Sequence, residues 1–160
     1  PTTSTAPCSS SRVRGTTETG ARPTHLLVLT VAVGGALGTT GRYAVSLLVG
    51  TGHLVPWATL VVNVSGAFLL GLLLERLARA GAETPRRRLV RLALGTGLLG
   101  GFTTYSALAL EVQDLLSAHQ IGTAVLYGVG TVCAGLLACA AGVALGARGS
   151  GRAARLGEVT

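Results

Sequence analysis

Four apolar blocks, each about 20 residues or longer, run through this chain at 26–49, 57–77, 89–110 and 123–145. A helix rises 1.5 Å per residue, so about 20 apolar residues cross the roughly 30 Å hydrocarbon layer of a bilayer. The blocks are too long for barrel strands and lack in/out alternation, which leaves helices as the spanning state. Only 12% of residues are charged, where soluble domains carry about a quarter. The mean hydropathy of +0.59 points the same way. The expected fold is an all-α membrane protein with four transmembrane helices.

The ends read differently. Residues 1–24 are rich in Thr, Ser, Pro and Arg, have no apolar run for a signal peptide and cannot build a core. They are expected to be a disordered tail, as are residues 147–160, flanking a four-helix body at 25–146. Cys133 and Cys139 fit no metal or redox spacing and read as small apolar filler.

All 13 basic residues are arginine. Twelve of them lie before the first block, around the loop between the second and third, and after the fourth. These segments share one side of a four-helix topology. The opposite loops, near His53 and His119, carry no arginine. The positive-inside rule puts both termini in the cytoplasm of a multi-pass cell-membrane protein. The high sequence pI, about 10.7, reflects these flanking arginines. With no aromatic interleaving or basic domain, nucleic acid is not an expected partner; the bilayer and its anionic headgroups are.

The third block holds GTGLLGGFTTYSAL at 95–108, a cluster of glycines followed by four hydroxyl side chains. GTGLLG matches a dinucleotide fingerprint literally but stands in a hydrophobic helix without the strand-turn-helix context that gives the motif meaning. Gly34/Gly38, Gly97/Gly101 and Gly142/Gly146 are small-xxx-small pairs that let helices approach closely. Unwinding at 100–103 would free carbonyls from their i+4 partners. In hydrocarbon such a break survives only where something satisfies those oxygens. A desolvated Na⁺ suits them, as in other broken membrane helices; a kinked helix without an ion is the alternative.

On the second block, Thr59, Asn63, Gly66 and Ala67 share a face, and Asn63 reads either as interhelical glue or as pore lining. On the fourth, Tyr127, Thr131 and Gly135 stack at i, i+4, i+8. No carboxylate falls centrally in a block; Glu75, Glu111 and Asp114 fall at block ends. No Ser/His/Asp or Cys/His set assembles, so an enzyme is not expected. Arg42, Asn63 and the Thr, Ser and Tyr hydroxyls make a donor-rich inventory, which suits an anion path. A small multidrug-type proton-coupled antiporter shares the size and helix count but needs an intramembrane carboxylate.

GGALGTTGRY at 34–43, WATLVVNVSGAFLLG at 57–71 and GTGLLGGFTTYSAL at 95–108 together resemble the signature stretches of the CrcB/Fluc fluoride channels. The resemblance covers the four-helix body. It implies a passive fluoride-selective channel that exports fluoride, built as an antiparallel, dual-topology dimer with two pores. It also implies a structural Na⁺ at the dimer centre, on carbonyls of the helix 3 break, here Gly100 and Thr103. The implied fluoride pathway runs past Arg42, Asn63, Thr104, Tyr105, Ser106, Leu108, Tyr127 and Thr131.

Two departures follow from the same comparison. The family pattern T-T-F-S-T-F reads Thr103-Thr-Tyr-Ser-Ala-Leu108 here, so Leu108 offers no aromatic ring edge and Ala107 no hydroxyl. The arginine asymmetry favours one insertion direction, where many members have balanced loops. The expected assembly is therefore one half of a heterodimer with a paralogous subunit, with an antiparallel homodimer as the alternative. A non-conducting accessory subunit is the further alternative raised by Leu108.

Overall fold

The computed structural model describes residues 24–50 and 55–156, with side chains to residue 148. The described residues are helical, in the order α1 (Thr24–Val49), α2 (Trp57–Arg79), α3 (Pro85–Val90), a π-helical stretch (Arg91–Leu99), α4 (Gly100–Phe102), α5 (Tyr105–Ser117) and α6 (Ile121–Leu156). No strand occurs among them. Among the described residues, three helices are long and apolar enough to cross a membrane: α1, α2 and the 28 residues Ile121–Arg148 of α6. The third apolar block is divided instead among α3, the π-helical stretch, α4 and α5.

Local chemistry sets the boundaries. The α2 helix ends where Gly81 takes φ +96°, and the Ala80 amide closes on the Arg76 carbonyl at 3.2 Å. Thr84 then caps α3, its hydroxyl accepting from the Arg87 amide at 3.2 Å, with Pro85 in the first turn. At the far end of α5, His119 adopts φ 59°. Its amide donates to Leu116 (3.0 Å) and that of Gln120 to Leu115 (2.9 Å), a Schellman arrangement that turns the chain directly into α6.

Glycines set the packing. A Cβ on Gly34 or Gly38 would collide with the Ala93 or Leu98 carbonyl oxygen, and one on Gly101 with the Gly35 carbonyl. Thus α1 runs alongside the third segment with main chains nearly touching. Gly71 meets the Cys139 carbonyl and Gly142 the Phe68 carbonyl in the same way, which seats α2 against α6. The largest helix pairing in the fold is this one.

Little is buried within one chain: Val62, Leu99, Leu108, Leu115, Ala124 and Tyr127 make up the apolar core. Leu29, Val33, Leu37, Leu126, Val129, Leu136 and Leu137 face outward, as expected of surfaces solvated by lipid or covered by another helix. The described arginines other than Arg42 collect at one end of the bundle, since α1 and α3 start there and α2 and α6 run towards it.

Two expectations are corrected. The α6 helix continues to Leu156, into the segment expected to be a tail from 147. Ala147, Arg148, Arg152, Ala153, Ala154, Arg155 and Leu156 are strong helix formers, enough to carry the helix through two intervening glycines. The break in the third segment lies at Thr103–Thr104 rather than across 100–103. Gly100 is helical (φ −65°, ψ −34°), and its amide reaches the Gly95 carbonyl five residues back. The tail at 1–23 and the loop around His53 lie outside the described residues.

Candidate functional site

The break has two extended residues, Thr103 (φ −76°, ψ 156°) and Thr104 (φ −149°, ψ 125°). Opposite them stands Asn63, in the middle of α2. Its Nδ2 donates to the Thr104 carbonyl at 2.8 Å, and its Oδ1 accepts from the Thr104 amide at 2.7 Å. The side-chain amide thereby replaces the helical partners that Thr104 gives up, which is how an irregular turn persists at membrane depth.

Helical bonding is redirected on both sides of the break. In a continuous helix the Gly100 carbonyl would accept from the Thr104 amide, which goes to Asn63 instead. The Thr103 carbonyl would accept from Ala107, whose amide goes to the Thr104 hydroxyl at 3.2 Å. That hydroxyl is the N-cap of α5 and also pairs with the Ser106 hydroxyl at 3.2 Å. The Gly101 carbonyl accepts from the Thr39 hydroxyl of α1 at 3.4 Å. Gly66 leaves room for the Thr103 methyl, which a Cβ at that position would strike.

One turn further along, a second polar cluster joins α2, α5 and α6. The Glu111 carboxylate accepts from the Thr59 hydroxyl through Oε1 and from the Tyr127 hydroxyl through Oε2, both at 2.6 Å. Sequence reasoning placed Glu111 at a helix end and missed this role. The available signal was spacing: Thr59 and Asn63 lie four residues apart on α2, and Thr104 and Glu111 seven apart on α5, so two polar rungs can link the same pair of faces.

Two cavities flank the break, and Thr104 lines both. One, about 540 Å³, is lined by Thr39, Arg42, Ser46, Trp57, Thr59 and Glu111 as well. Arg42 and Glu111 share it without an ion pair; among the described residues the ion pairs are Arg79–Glu75 and Arg91–Glu83. The other, about 470 Å³, is a groove bringing together Asn63, Gly100, Thr103, Tyr105, Leu108 and Thr131. Of the residues singled out from sequence, Ser106 and Tyr127 line neither cavity but touch the polar clusters beside them.

Several of these side chains behave differently from their expected donor role. The Tyr127 proton is directed to Glu111, with the Pro56 carbonyl at 3.3 Å as a weaker alternative. Thr131 is 3% exposed and donates to the Tyr127 carbonyl of its own helix at 2.7 Å. Leu108 is 7% exposed and packs in the Tyr127 cluster with Leu115 and Ala124, so it forms wall rather than a free edge. Tyr105 is 81% exposed and reaches outward from the chain. Among the described residues, no cluster of His, Cys, Asp and Glu suits a metal.

Residues 29–143 match the family model described as "CrcB-like protein, Camphor Resistance (CrcB)". The chain is 49% identical over 128 residues to the fluoride-specific ion channel FluC 2 of Leifsonia xyli subsp. xyli, covering 78% of this chain and 88% of that one. It is 45% identical over 113 residues to the fluoride-specific ion channel FluC 1 of Cutibacterium acnes, with 70% and 79% covered. To a fluoride-specific ion channel FluC of Thermus thermophilus it is 45% identical over 120 residues, with 74% and 93% covered.

Proposed function

The chain belongs to the CrcB-like family, and from that membership we propose that it is a subunit of a passive, fluoride-selective channel that lowers cytoplasmic fluoride. The observation that carries the reading is the Asn63-clamped break in a chain this similar to proteins named as fluoride channels. A small-multidrug-type antiporter would need a carboxylate between its helices, and Glu111 is one; the 49% identity to a fluoride-specific channel supports the channel reading over that one. Nothing in the family calls for an enzyme.

Fluoride is small and strongly hydrated, so a pore must replace its water shell with short donor contacts. Asn63 has one amide hydrogen beyond that given to Thr104, and Ser106 lies beside the break. Arg42 contributes positive charge to the larger cavity, where anions would gather. Glu111 holds Tyr127 and Thr59 in fixed orientations beside that cavity.

The freed carbonyls of Gly100 and Thr103 fit a small hard cation. Na⁺, held there with oxygens from a second subunit, would supply positive charge and fix the break. We propose an antiparallel dimer because the groove beside Thr104 is open and Tyr105 projects from it. The arginine asymmetry inserts both termini into the cytoplasm, so the partner is a paralogue of opposite orientation rather than a second copy. Two relatives carry the numerals 1 and 2 in their names. A non-conducting accessory role is the second reading, favoured by Leu108, which presents no ring edge and lies in the core.

The test is fluoride efflux from proteoliposomes, read with a fluoride electrode, for this chain alone and with a co-expressed paralogue. Fluoride flux far above chloride flux, appearing with the paralogue and abolished by Asn63→Ala in this chain, is expected. Full flux from the purified chain alone refutes the obligate heterodimer. Equal fluoride and chloride flux refutes the channel assignment. A flux indifferent to Asn63→Ala supports the accessory role.

A further inference from the structure

We infer that the cavity between the end of α2 and the start of the third segment is a binding site for an anionic phospholipid. The cavity measures about 280 Å³, with Leu74, Leu77 and Ala78 of α2 on one side and Gly81, Arg87, Arg91 and the Arg91-paired Glu83 at its loop end. Leu74, Leu77 and Ala78 stand at i, i+3 and i+4, so they form one apolar strip along the helix. That strip extends from the membrane-spanning part of α2, and the guanidinium groups lie where the span ends.

Charge at the loop end is out of balance. Between residues 74 and 91 six arginines face two glutamates. Glu75 is taken by Arg79, and Glu83 by Arg91 at 2.9 Å. Arg87 has no carboxylate. Its Nη1 donates to the Ala82 carbonyl at 2.8 Å, which folds the guanidinium back over the loop beside Gly81, where the nearest approach to an added Cβ is 3.6 Å. A guanidinium carries five N–H donors, so four of those on Arg87 are left without a protein partner. Arg87 and Arg91 are also four residues apart, on one helical face, and Glu83 compensates only Arg91, so the pair keeps a net positive charge.

A phosphodiester at the mouth accepts from the free donors of Arg87 and from those Arg91 does not give to Glu83, and it balances the positive charge left on Arg87. An acyl chain attached to it lies along Leu74, Leu77 and Ala78 and covers surface that is otherwise exposed; Leu74 is 41% exposed. Free phosphate would use only the cationic end. The combination of an apolar wall and a basic mouth, placed at headgroup depth, selects a lipid. This site is independent of the ion the channel carries.

The test uses the full chain in neutral detergent and native mass spectrometry, titrating dioleoylphosphatidylglycerol or dioleoylphosphatidylcholine. Tighter retention of phosphatidylglycerol is expected, falling about thirty-fold in the Arg87→Gln/Arg91→Gln variant. The control Arg86→Gln/Arg88→Gln removes the same charge from exposed positions outside the cavity and should lose less than about threefold. Ala78→Phe fills the apolar wall, leaves the charge intact and should also weaken phosphatidylglycerol binding. Equal loss in both arginine pairs would show a diffuse field and overturn the site. Unchanged binding in Ala78→Phe, or displacement of the lipid by millimolar inorganic phosphate, would overturn the lipid assignment. Should the Arg87/Arg91 variant not fold, Ala78→Phe, at an exposed position, decides alone.

Discussion

Replacing Asn63 by alanine tests what holds the third segment open. The side chain makes two bonds, both to the main chain of Thr104. If these were ordinary interhelical bonds, their loss would cost about 0.6 kcal/mol each, the average measured for side-chain hydrogen bonds in a membrane protein. If they are what satisfies Thr104, the substitution strands a buried amide and a buried carbonyl. At roughly 1–3 kcal/mol apiece, the cost is then about 4 kcal/mol. The second figure is expected, because Thr104 is buried and its amide has no partner besides Asn63. Asn63→Asp should be worse still, since it loses the donor and sets a carboxylate against the Thr104 carbonyl. The assay is reversible unfolding in mixed micelles, followed through the single tryptophan, Trp57, at the start of α2. A loss below about 1 kcal/mol in Asn63→Ala would refute the clamp, since water entering from the adjoining cavity would then be satisfying Thr104 equally well.

Gly38→Ala should destabilise the fold by more than about 3 kcal/mol, because the added methyl meets the Leu98 carbonyl and the Phe102 amide rather than a yielding side chain. Gly130→Ala, with nothing within 4 Å, should be neutral or slightly stabilising in the same unfolding assay. For the second polar cluster, Glu111→Gln and Tyr127→Phe should each cost about 1–2 kcal/mol, as short buried bonds weaken or vanish. A double-mutant cycle on the pair should return a coupling of at least about 1 kcal/mol; additivity would show that the 2.6 Å contact carries no energy.

The break was legible from GGFTTYS because glycine lowers helical stability and consecutive hydroxyls offer competing bonds. Its position was displaced for a physical reason. Glycine is the weakest helix former in the stretch, yet Gly100 and Gly101 stay helical, Gly101 packed against Gly35 of α1. What ends the helix is the Asn63 side chain, 41 residues away, taking the Thr104 amide. Nothing local to the third block encodes that. Glu111 escaped for the same reason. Counted along the chain it falls at the edge of an apolar block, but α5 continues to Ser117 and carries it between α2 and α6. Close packing through Gly34/Gly38, Gly97/Gly101 and Gly142 was legible because small residues at i, i+4 have few other uses in a membrane helix.

Donor accounting bears on the proposed dimer. A hydroxyl has one proton, and within this protomer those of Thr39, Thr59, Thr103, Tyr127 and Thr131 are directed to oxygen acceptors. Fluoride stripped of water needs several donors at once. Asn63 offers one remaining hydrogen, and the Thr104–Ser106 pair offers one more at most beyond its mutual bond. A single protomer therefore falls short of a full shell, whereas Tyr105, 81% exposed beside the groove, has its hydroxyl and ring edge turned to whatever covers that face. A partner aligned antiparallel brings a second set of such groups to the groove. On this reasoning Tyr105→Phe should impair fluoride flux only modestly if the ring edge is what counts, and severely if the hydroxyl does. Paired measurement of this variant and Tyr105→Leu in proteoliposomes separates the two, and equal flux from both and from the unaltered chain would remove Tyr105 from the path.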